Sequence, residues 1–215
     1  MLGRRWWIVA VVLAIAACAS EGGDAEVRSE TPRVTTDGSR ADLDPLLLTR
    51  PDVERATDLS VAVSDLGEVE MYENPDTRGP CGTPVAPLPT PDAGRGFTTP
   101  SVTIVELLYD GDEVTAYADQ VAADLRPGCS GYTSRTNYGV DQVVGPPTGL
   151  DLGAIGDRRT GWTAVITVGG RTIHVAGVVT GIGDRTALLQ IFAADPVDTG
   201  AVVDLARAAT GRLEG

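Results

Sequence analysis

Residues 163–192, TAVITVGGRTIHVAGVVTGIGDRTALLQIF, decide the fold. The runs Thr163 to Val168 and Thr172 to Val179 are rich in β-branched and apolar side chains, and the pair Gly169-Gly170 falls between them. Two glycines joining such runs read as a tight hairpin, because glycine reaches the positive φ of the favoured hairpin turns at no steric cost. A second turn at Gly181-Ile182-Gly183-Asp184 leads into Thr186 to Phe192, so three strands fold back on one another as an antiparallel meander. Beyond Asp195-Pro196, the positions Val202, Val203, Leu205, Ala206 and Ala209 recur at helical spacing and predict a closing helix over about Thr199 to Leu213.

Upstream of this block, Ser101 to Tyr109 has the branched and apolar composition of another strand. Asp110-Gly111-Asp112-Glu113 then caps a helix from about Glu113 to Leu125, with Val114, Tyr117, Ala118, Val121 and Leu125 on its apolar face. Acidic residues suit the positive end of the helix dipole, and Pro127-Gly128 ends the helix. A short strand fits around Val140 to Val144. Residues 74–100 carry so many prolines and glycines that they read as one long loop without a central strand, and a loop of that length in a domain is functional or pinned. Before it, Val61, Val63, Val69 and Met71 alternate on either side of Asp65-Leu66-Gly67, giving two short strands or one bulged strand. Thr49 and Asp52 form a capping-box pattern for a short helix from Arg50 to about Asp58. Hairpin-connected strands mean an antiparallel sheet, and the flanking helices are expected to cover one face of it. The fold class is α+β.

The N-terminus bears on location. Residues 1–17 combine Arg4 and Arg5, an apolar run from Trp6 to Ala14, and the aliphatic Ile15 with the small Ala16 and Ala17 ahead of Cys18. That order reads as a cleaved export signal. About 12 apolar residues in a helix reach roughly 18 Å, short of the roughly 30 Å of a hydrocarbon core. The site resembles the lipobox of bacterial lipoproteins, in which the cysteine is lipidated and becomes the mature N-terminus; Cys18 matches it. The competing reading is an ordinary secretory signal. Residues 18–44 are polar with almost no large apolar side chain, which predicts a lipidated, disordered tether, and residues 45–215 then form one domain.

A formal charge of −13 with scattered arginines argues against nucleic acid and against a basic patch on anionic lipid. The expected membrane contact is therefore the acylated Cys18, on the extracytoplasmic face of the cell membrane. There is no lysine to form a Schiff base. In an exported chain the remaining cysteines, Cys81 and Cys129, read as one disulfide, since a metal site wants four ligands and the sequence holds a single histidine.

Catalytic patterns are weak. His174 is the one histidine available to activate a nucleophile, and it lies mid-strand, on the side away from Ile173 and Val175. A solvated or cleft-facing position suits it better than a base. Asp110 to Glu113 lacks the ligand ladder of a calcium loop, and thirty acidic residues allow some carboxylate pair without giving it meaning. No phosphate-binding loop occurs, and no cofactor or metal is expected. Trp162 is either a core anchor or the lip of a pocket. Tyr72, Tyr132 and Tyr138 flank the loops that the cysteine pair gathers, and with Trp162 and His174 they form the candidate ligand cleft, on the sheet face left open by the helices.

Leu46-Leu47-Leu48-Thr49 opening a helix, the Tyr72 to Gly82 segment with its Pro80-Cys81-Gly82, the helix ending at Cys129 and the meander closed by a Leu205-Ala206-Arg207 helix resemble the actinobacterial sensor-domain lipoproteins, the PknH-like extracellular domain family. The resemblance spans about residues 45–213. It implies a twisted antiparallel sheet with packed helices and a cleft for an unidentified ligand. One cysteine pair stands here where the kinase sensor has two, and the chain carries no kinase. The expected function is a non-catalytic envelope lipoprotein that binds a small ligand or envelope component; the alternatives are an accessory lipoprotein docking a membrane or cell-wall protein complex and, less favoured, a hydrolase.

Overall fold

The computed structural model describes residues 43–65, 78–85, 88–111, 113–125, 128–135 and 140–215. The meander is its centre. Strand β7 (Arg158–Val168) turns at Gly169-Gly170 into β8 (Arg171–Ile182), which turns at Gly183-Asp184 into β9 (Arg185–Ala193). Gly169 and Gly170 have φ of 55° and 74°, the region the two-residue turn demands. On the β9 side lie β3 (Val102–Asp110), β2 (Ala93–Thr98) and the edge strand β1 (Ala62–Asp65); on the β7 side lie β5 (Asp141–Val144) and the edge strand β4 (Tyr132–Arg135). The two-residue β6 (Thr148–Gly149) also pairs with β7, completing a nine-stranded sheet in which every pairing is antiparallel. Three α-helices accompany it among the described residues: α1 (Arg50–Thr57), α2 (Glu113–Asp124) and α3 (Thr199–Leu213).

The α+β class and the antiparallel sheet stand as the sequence indicates. The placing of the helices differs. Ile104, Leu108, Val178 and Leu189 point to one side and pack with Val53 of α1 and Leu205 and Ala206 of α3. Leu107, Tyr109, Val179 and Leu188, one residue out of phase with these, point to the other side and pack with Val114, Tyr117 and Val121 of α2. The period of two along each strand therefore serves two buried faces, which is why β3 and β9 read as continuous apolar runs.

Residues 74–100 are corrected in part. Strand β2 lies within them, second from the sheet edge, in the proline-free interval between Pro91 and Pro100. Its Ala93, Arg95 and Phe97 pair with Leu108, Glu106 and Ile104. Gly94 and Gly96 hid the alternation. The expected second half of the first strand, with Val69 and Met71, falls outside the described residues.

Helices α1 and α3 are joined at their polar ends. Thr49 caps α1 in a capping box with Asp52, whose Oδ2 accepts from the Thr49 N–H at 2.9 Å and the Thr49 hydroxyl at 2.6 Å. Arg212, in the last turn of α3, donates to the same Oδ2 through Nη2 at 2.6 Å and Nε at 3.1 Å. Burial alone raises the Asp52 pKa, but the Thr49 hydrogen bonds and then Arg212 outweigh it, and the carboxyl ends below its ordinary value.

Candidate functional site

The cysteine pair comes together. Cys81 and Cys129 form a disulfide with Cα atoms 5.6 Å apart, tying the loop 78–85 to the segment after α2. The last residue of α2, Asp124, is 4% exposed and accepts from the Cys81 N–H at 2.6 Å. Gly79 is required beside it, because a Cβ there would lie 2.4 Å from Asp124 Oδ2. Tyr132 lies against Gly82 in the same corner, and Val85 joins the cluster beneath α2.

The aromatic cleft expected from sequence is dispersed over the described residues. Trp162 and Tyr132 share the α2 face, but Tyr132 sits in the row of Val144 and Ile166, about 13 Å further along the strand direction than Trp162 and two strands across from it. Trp162 is half-buried against the cluster under α2; Tyr132 packs near Val144, Ala164 and Val175. His174 faces the opposite side, half-buried, as the register partner of Val165 and Ala193. Tyr72, Tyr138 and Cys18 lie outside the described residues. No group of three or more His, Cys, Asp or Glu side chains is placed to hold a metal among the described residues.

One carboxylate is strongly perturbed. Glu106 on β3 is 0% exposed, its Oε2 accepts from the Leu48 N–H at 2.7 Å, and its Oε1 is buried with no partner. Burial pushes its pKa up to about 8, against the Leu48 hydrogen bond and the Arg95 charge. Arg95 donates to the Leu48 carbonyl at 3.0 Å, so Glu106 and Arg95 hold the N–H and the carbonyl of one residue just before α1. That is a docking point for the segment leading into α1, and Glu106 is not in the wall of the apolar cavity.

A half-open apolar space lies elsewhere. A cavity of about 180 Å³ lies on the α1/α3 face, between the C-terminal end of α1, the start of β3, the end of β9 and the N-terminal turn of α3. Its walls are Leu59, Val102, Ile104, Ile191, Val202 and Leu205, with Ser101, Asp195 and Asp198 among its polar members. Asp198 is already used, since its Oδ1 accepts from the Gly200 N–H at 2.8 Å as the N-cap of α3. A space of that size between apolar walls admits a benzene-sized group. Sequence reasoning missed these residues because they come from four elements and each has the ordinary look of a core position; His174 pairs with Ala193, a cavity residue, without itself reaching the space.

No family model matches the chain, and no curated protein matches it. Solved structures similar to the chain include the following three. The extracellular domain of PknH from Mycobacterium tuberculosis is 10% identical with a TM-score of 0.49, over 82% of this chain and 97% of that one. LpqN, involved in cell envelope biogenesis of Mycobacterium tuberculosis, is 18% identical with a TM-score of 0.25, over 78% and 95%. Mll3558 from Rhizobium loti is 22% identical with a TM-score of 0.29, over 53% and 96%. At these values none of the three assigns a function to this chain.

Proposed function

We propose that the chain is a cell-envelope lipoprotein, held to the extracytoplasmic face through Cys18, whose domain from residue 45 onward is non-catalytic and binds the apolar part of a small ligand or envelope component. The observation that carries the binding reading is the apolar cavity of about 180 Å³ between α1, α3, β3 and β9. The lipobox-like Ile15-Ala16-Ala17-Cys18 and the Cys81–Cys129 disulfide support an oxidising, extracytoplasmic location.

Ligand binding raises stability by mass action, by about 2.7 kcal/mol at a hundredfold excess over Kd. For a domain of this size that is roughly 5 to 10 °C in Tm. Melting curves of the protein with envelope lipids, glycans and peptidoglycan fragments are expected to show such a rise for one class, abolished by Ala201→Leu, which fills the cavity. No rise with any class removes the binding reading. Separately, Cys18→Ala is expected to move the protein from the membrane fraction to the soluble one; retention removes the anchor.

A second reading, docking to an envelope protein complex, is favoured by one observation. Val143 and Val165 are 51% and 40% exposed and lie on the same sheet face, on β5 and β7. Val143→Glu with Val165→Glu would abolish crosslinking to such a partner and leave the melting temperature unchanged.

A further inference from the structure

The large side chains around the apolar cavity are aliphatic: Leu59, Val102, Ile104, Ile191, Val202 and Leu205. Among the described residues that line it there is no aromatic ring and no cation. Its polar members are engaged or lie in water. The Thr57 hydroxyl donates to the Val53 carbonyl at 2.7 Å and accepts from the Leu59 N–H at 3.3 Å. Asp198 holds the Gly200 and Ala201 N–H groups of α3, and Ser101, Asp195 and Asp198 are all exposed at the rim. A carboxylate or phosphate drawn inside would need donors that these walls do not supply, and an ion buried without them is costly. The space is half-open, so a ligand larger than about 180 Å³ leaves its remainder in solvent.

We infer that the ligand is an uncharged amphiphile that inserts the end of an aliphatic chain, about six carbons of it, and keeps its head outside the rim. This names the ligand class for the binding reading and rests on that reading. The depth follows from volume, since a space of about 150 Å³ already holds the six carbons of benzene. The aliphatic character follows from the walls, which offer an aromatic ligand no ring to pack against. The head is uncharged because the rim favours neither ion. A carboxylate that close to the mouth loses part of its hydration and faces Asp195 and Asp198, so both effects weaken it. For an ammonium the two effects oppose each other: exposed carboxylates attract it weakly, and its strong hydration resists approach to an apolar mouth.

The test follows the methyl NMR shifts of Val102, Ile104, Ile191 and Leu205 during titration of the protein with straight-chain alcohols from propanol to octanol. Hexanoate, hexylammonium and benzyl alcohol are parallel arms at neutral pH. The alcohols are expected to give saturable shifts whose affinity rises about fourfold per methylene, the gain for burying one, and levels off past about hexanol. Hexanoate is expected to bind about tenfold more weakly than hexanol. Hexylammonium and benzyl alcohol are expected to bind no more tightly than hexanol. Ala201→Leu is expected to abolish the shifts. No saturation in any arm removes the binding reading and the ligand class with it. Saturation with the wrong selectivity leaves the cavity a binding site and overturns the class alone: hexanoate equal to hexanol, hexylammonium or benzyl alcohol tighter than hexanol, or affinity that ignores chain length or climbs unbroken to octanol. Shifts that persist in Ala201→Leu place the alcohols elsewhere and overturn the class as well.

Discussion

The indole of Trp162 occupies the space above Gly177, its register partner on β8: a Cβ at that glycine would lie 2.2 Å from Cζ2 and 2.5 Å from Cη2 of the ring. Gly177 is buried mid-strand and is not among the positive-φ residues, so its requirement is for room rather than for a special backbone. Gly177→Ala forces the ring off the sheet and is expected to cost about 1 to 3 kcal/mol, the usual range for overpacking. Urea unfolding measures it. In a Trp162→Ala background the same change should cost much less, and an undiminished cost would show that the indole is not what the glycine accommodates.

The Cys81–Cys129 link closes a loop across a sequence separation of 48 residues. In the chain-entropy model a loop of that size is worth about 4 kcal/mol. Cys81→Ser with Cys129→Ser is therefore expected to lower the melting temperature by roughly 10 °C in a domain of this size. The loss should show first at the corner it pins. Hydrogen exchange is expected to rise at the Cys81 amide held by Asp124 and around Tyr132, while β8 and β9 keep their protection. Uniform loss of protection across the sheet would place the role of the disulfide in the global core instead.

The sequence shows some of this plainly and some not at all, for physical reasons. The β7–β8–β9 meander and α3 are legible because their signals are local: two glycine turns, alternation over long runs and an apolar stripe at helical spacing after Asp195-Pro196. Helix α1 is legible because the Thr49–Asp52 box is a three-residue pattern. The face that α2 covers is not legible, since it depends on which way the chain crosses after Asp110, and both faces of β3 are apolar. Strand β2 was hidden by glycines that contribute no side chain to the alternation. The apolar cavity could not be read, because it is a meeting of distant segments. Glu106 sits among Ile104, Val105, Leu107 and Leu108, and nothing local announces that Leu48 comes from 58 residues away to meet it.

Glu106 sets a pH dependence opposite to that of Asp52. The Asp52 carboxyl is depressed in the folded state, so its contribution is present above the unfolded value of 3.8 and is lost as pH falls through the folded one. For Glu106 the unfolded chain releases its proton near 4.5, whereas burial in the folded state keeps it to about 8. Between these values the folded form holds a proton that the unfolded form has given up, so stability is full below 4.5 and declines as pH rises to about 8. The limiting slope is about 1.4 kcal/mol per pH unit, so the total reaches a few kcal/mol. Glu106→Gln keeps a carbonyl to accept from the Leu48 N–H and has no proton to lose. The difference in unfolding free energy between the two proteins, followed by urea titration from pH 4.5 to 9, isolates this one group from every other carboxylate. The glutamine variant is expected to be comparable at pH 4.5 and increasingly the more stable above it, with the gap levelling off past pH 8. Parallel curves for the two proteins would mean that Glu106 is ionised in the fold, and that the neighbouring Arg95 rather than a retained proton answers its burial.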